Sequence, residues 1–136
     1  MKRYLAAAFA VLLVYLVWDN FLGSLLMGST MAKIPGMLPE YSKLWETVGD
    51  VFAALVLTGL YARTRSVFGS SAQGGAVYGV YAGLLINFPT WLFMTVYAGW
   101  PYGATWMLTI VMVLLTVVSG AVMGAVYQAM DRPAAA

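Results

Sequence analysis

The chain has 136 residues, of which 62% are apolar and 9% charged, with a mean hydropathy of +0.84. That balance excludes both a soluble globule, which carries about 25% charged residues, and a disordered chain, which needs low hydrophobicity. Neither cysteine nor histidine is present, so disulfides, thiol chemistry, His-ligated haem or zinc and a Ser-His-Asp triad are excluded. The net charge of +2 is too modest to indicate nucleic-acid binding and reports membrane topology instead.

At about 20 apolar residues per crossing, a chain of this length holds four spans and short loops. The expected fold is an all-α membrane protein, a single domain of four transmembrane helices. The first span is predicted at about 4–27, after the basic pair Lys2 and Arg3. It has the look of a signal peptide, but no clean Ala-x-Ala site follows it, so it is read as an uncleaved span. The outer loop 28–43 contains Pro35, Gly36 and Pro39, which forbid a regular helix there. Span two is predicted at about 44–62, with Glu46 and Asp50 in its first two turns.

From Ser66 to Met130 the chain carries no charge over 65 residues, about 97 Å as one helix. No bilayer core is that thick, so the run must fold back, at Ala98-Gly99-Trp100-Pro101. Span three is then about 74–97, kinked by Pro89, and span four about 102–130, followed by a frayed tail from Asp131 that carries no chemistry. Lys2, Arg3, Arg63, Arg65 and Arg132 fall on one side and Lys33 and Lys43 on the other. This places both termini in the cytoplasm, with Trp45, Tyr97, Trp100, Tyr102 and Trp106 as an outer aromatic belt.

A weak internal repeat relates Trp18-Asp19-Asn20-Phe21-Leu22 to Leu85-Ile86-Asn87-Phe88-Pro89, and Gly59-Leu60-Tyr61 to Ala125-Val126-Tyr127. Two duplicated hairpins of the same orientation would produce it. Small residues recur every four positions at Gly75, Gly79 and Gly83, at Thr116, Gly120 and Gly124, and at Ala54, Thr58 and Ala62. Such faces admit a neighbouring backbone at close range and are expected to be packing seams, within one bundle or between subunits.

Ionisable groups inside spans are functional candidates. Asp19, Asn20, Glu46, Asp50 and Asn87 fall at one level in the outer half and form a candidate polar pocket for a cation, a proton or a small polar solute. The competing reading solvates Asp19 and Glu46 at the headgroups. It also neutralises Asp19 and Asp50 by Lys33 and Lys43, and lets Asn20 and Asn87 bond across helices. Met27, Met31 and Met37 are read as filler rather than a Cu(I) site. No catalytic residue, metal or cofactor is expected.

With Trp18–Gly28, the loop Ile34-Pro35-Gly36-Met37-Leu38-Pro39-Glu40 and the run Gly120–Tyr127 in view, the chain resembles small bacterial four-helix membrane proteins. Those proteins carry a Pro-Gly-Leu-x-Pro-Glu-like loop after the first span; here Met37 replaces the Leu. The resemblance implies a four-helix fold in the bacterial inner membrane and supplies no catalytic residues. The first functional expectation is an accessory or structural subunit, packed through glycine faces onto itself or a larger membrane complex. The second is a small oligomeric transporter or channel using the acidic site. A membrane enzyme acting on lipid is the third.

Overall fold

The computed structural model describes residues 1–34 and 43–131. Four helices are long and apolar enough to cross a membrane: α1 (Lys2–Met31), α2 (Lys43–Phe68), α3 (Ala72–Val96) and α4 (Tyr102–Asp131). The protein is thus an all-α, multi-pass membrane protein. Residues 35–42, with Pro35, Gly36, Met37 and Pro39 of the outer loop, and the residues from 132 onward lie outside the described residues.

Three of the helices run past the spans expected from hydropathy alone. α1 continues to Met31, α2 carries Arg63 and Arg65 on to Phe68, and α3 begins at Ala72. A helix has no reason to stop where the hydrocarbon does, because its backbone bonds are internal. The α2–α3 connection is short because Gly69 takes a φ of +87° and Ser71 caps α3, its side chain accepting from the Gly74 N–H at 3.1 Å. The break at residues 98–101 turns on Gly99, with φ +80°. There Trp100 stacks on Trp91, centroids 6.2 Å apart, and its indole N–H donates to Thr105. α3 is helical without interruption from Ala72 to Phe93, Pro89 included, and tightens to a 3-10 turn at Met94–Val96.

The helices form a ring in chain order, with α1 closing onto α4. The closest pair by a wide margin is α3 with α4. A Cβ on Gly75 would overlap the Gly120 carbonyl, and one on Gly120 would overlap the Gly75 carbonyl. Gly79 abuts the Thr116 backbone, Gly83 meets the Thr116 hydroxyl, and Gly124 lies on the Ser71 carbonyl. The two backbones are therefore in direct contact along the seam. α2 contributes its own small face: Ala54 and Thr58 are buried, and the Thr58 hydroxyl contacts the Met123 sulfur at 3.3 Å. Val11 and Tyr61 are fully buried and Leu115 and Met123 nearly so, filling the middle of the ring from α1, α2 and α4.

Ring order sets α1 diagonally across from α3 and α2 across from α4, the placement two repeated hairpins would take. The hairpins are nevertheless packed differently, since the α1–α2 pair has no glycine seam.

Gly79→Ala should lower stability by roughly 1–3 kcal/mol or more, because the added methyl meets backbone that cannot yield. Gly49→Ala, in the exposed part of α2 with nothing within 4 Å, should raise it by about 1 kcal/mol. Thermal unfolding of both variants in one detergent, followed by circular dichroism, checks the opposite signs.

Candidate functional site

Within α1, residues Trp18–Leu22 form a π-helical turn. The Gly23 N–H reaches back to the Trp18 carbonyl, and a side chain at Gly23 would crowd that same oxygen at 3.2 Å. The Asn20 side-chain amide donates to the Leu16 carbonyl at 2.8 Å and the Ser24 hydroxyl to the Phe21 carbonyl at 3.2 Å. Such turns change the facing of the residues they carry and are frequent at functional sites. This one carries Asp19.

Asp19 is half-buried and faces α2, where Asp50 is 8% exposed. The Asp19 and Asp50 carboxyls are close enough to influence each other electrostatically. Two neighbouring carboxyls share a proton more readily than they carry two negative charges. Glu46, one turn before Asp50 and half-buried, lies within electrostatic range of Asp19. The phenol of Tyr15, one turn below Asp19 and 8% exposed, is within range of Asp19, Asp50 and Tyr78. Tyr15 carries no distinguishing sequence signal beyond its position four residues before Asp19. Trp18, beside Asp19, is buried with its indole N–H unpartnered among the described residues.

The amides of the other two residues of the expected pocket donate within their own helices. Asn20 is exposed, and its amide is bonded to its own helix. Asn87 is 8% exposed and likewise donates within its helix, to the Gly83 carbonyl at 3.0 Å. Neither amide nitrogen donates across to a neighbouring helix. Lys33 and Lys43 make no ion pair with Asp19, Glu46 or Asp50 among the described residues. No three carboxylates there converge closely enough to hold a metal ion. The chemistry available is that of a carboxyl pair: exchange of a proton for an organic cation, or proton transfer alone.

The expectation that Asp131 belongs to a frayed, inert tail is corrected. Asp131 ends α4 and accepts from Arg3 of α1 and, at 3.0 Å, from Arg65 of α2. One carboxylate thereby joins three helices at the end of the bundle opposite the acid pair. The Arg65 guanidinium also sits 5.0 Å from the ring centre of Tyr127. Tyr127 and Tyr78 pack on the buried Tyr61, whose hydroxyl donates to the Gly69 carbonyl at 2.6 Å. A single acid after an uncharged run gives no hint of its partners, because those partners come from the ring closure of α1 onto α4.

Asp131→Ala should lower stability by no more than about 1 kcal/mol, since both pairs are partly exposed. The difference from wild type should shrink in high salt, as read by detergent-phase unfolding at two ionic strengths. Asn87→Ala should cost about 1 kcal/mol for its buried hydrogen bond, and Asn20→Ala less. No family model matches the chain, and no curated protein or solved structure is similar to it.

Proposed function

We propose that this chain is a small transporter that binds a cation at the Asp19–Asp50 pair in exchange for the proton the pair holds. The observation that carries this reading is Asp50, 8% exposed and within electrostatic range of Asp19 on another helix, with no lysine or arginine paired to either among the described residues. A buried acid without a cationic partner is costly, and a proton or a bound cation relieves that cost. Among the described residues no third acid joins the two in a metal-binding group, and two carboxyls can hold an ammonium by charge-assisted hydrogen bonds.

In this reading the membrane is a bacterial inner membrane with both termini cytoplasmic, supported by the excess of Lys and Arg at the terminal end of the bundle. The acid pair then opens to the outer side. Four helices leave little room for a private pathway, so the transporting unit is a homo-oligomer of at least two chains. The accessory-subunit reading relies on small-residue faces offered to a partner. It finds less support, because the α3 and α4 seams are filled by each other within one chain.

The test is proton release on binding. Addition of tetramethylammonium to the full-length protein in lipid nanodiscs, in weak buffer with a pH dye, should release up to about one proton per chain. Asp50→Asn should abolish the release. If wild type and Asp50→Asn give the same trace, the pair is not a cation site.

A further inference from the structure

The two ends of the bundle carry opposite charge. Where α1 begins and α2 and α4 finish, Lys2, Arg3, Arg63 and Arg65 stand against a single acid, Asp131, among the described residues. Towards the other end, Lys33 and Lys43 stand against Asp19, Glu46 and Asp50.

Asp131 does not exhaust the cations around it. It accepts from Arg3 and, at 3.0 Å, from Arg65, each through Nη1. A guanidinium has five N–H donors, so both arginines keep donors to spare, and their side chains are 49% and 33% exposed. Two guanidiniums drawn onto one carboxylate leave a net positive charge at the joint. Lys2 and Arg63 add to it, both exposed and without an ion pair among the described residues.

The joint also has a fixed depth. It borders the run from Ser66 to Met130, which carries no charge, and a charge inside the bilayer core is costly. The Arg65 guanidinium lies 5.0 Å from the ring centre of Tyr127, and tyrosine favours the membrane–water interface. At that level the anions at hand are the phosphates of the adjoining leaflet.

We propose that this end of the bundle binds the headgroup of an anionic phospholipid, its phosphate taken by the spare guanidinium donors of Arg3 and Arg65, with Lys2 and Arg63 as outer cations. Guanidinium and phosphate can pair through two parallel hydrogen bonds. A zwitterionic lipid brings its own cation, so the excess positive charge selects a lipid of net negative charge. Asp131 is an internal competitor that holds the two arginines together and draws on the same donors. The site does not depend on the Asp19–Asp50 reading.

The test is native mass spectrometry of the full-length protein in micelles, titrated with phosphatidylglycerol or phosphatidylcholine. Phosphatidylglycerol should bind about tenfold tighter or more. Arg3 and Arg65 also join helices, so the exposed cations make the cleaner variants. Arg63→Gln and Lys2→Gln should each lower the preference about fivefold. Asp131→Asn should raise it several-fold, by removing the competing charge. Lys43→Gln, the same change of charge at the opposite end, should leave it unaltered. Equal affinity for the two lipids would overturn the site, as would a loss in Lys43→Gln as large as in Arg63→Gln, or a fall in Asp131→Asn. Displacement of the lipid by millimolar inorganic phosphate would mark a site for the free ion and overturn the lipid assignment.

Discussion

Inside a bilayer, apolar side chains give helices no reason to prefer each other over lipid, so close backbone contact has to do the organising. Here that contact is the seam between α3 and α4, where Gly75 and Gly120 exchange places against each other's carbonyls and Gly79 lies on the Thr116 backbone. The rest of the bundle is arranged around this pair. α1 packs along α4, and α2 fills the remaining side with Ala54, Leu57 and Thr58. With two helices held rigidly together, the other two are free to differ in how tightly they meet.

The polar chemistry divides accordingly. In the α3–α4 half of the ring Asn87 donates to Gly83 and Thr116 to Val113, while the Thr109 and Ser119 hydroxyls are buried without a partner among the described residues. The α1–α2 half holds the acids. Asp19 is carried on a turn of altered pitch, and Asp50 is buried without a basic partner among the described residues. At the far end, Asp131 does have partners, Arg3 and Arg65, and there the charges serve to join helices. Asp131 is paired with two arginines at one end, whereas Asp19 and Asp50 at the other have no ion-pair partner among the described residues.

The repeat visible in the sequence has a physical reading in these terms. The matched asparagines, Asn20 and Asn87, each donate to the carbonyl four residues earlier in their own helix. Their surroundings differ, one exposed and the other buried. Similar local motifs thus sit in two hairpins with different packing partners, and only the first hairpin brings two carboxyls together.

The sequence by itself determined the number of helices, because length and hydropathy leave room for four spans and the uncharged run has to fold back at Gly99. It determined which residues are small enough for backbone contact, since four-residue spacing puts them on one face whatever the neighbour. It marked Asp19 and Asp50 as candidates in the outer halves of their spans, through the rise per residue. Only the tertiary structure decided that the glycine faces of α3 and α4 fill each other, because a small-residue stripe carries no information about its partner. Only it showed the pitch change that carries Asp19, the bonding of the Asn20 and Asn87 amides within their own helices, and the bridging role of Asp131. The seam and the Asp131 bridge depend on how helices far apart in the chain rotate and close around a common axis. Helical periodicity fixes faces within a helix and leaves that rotation open.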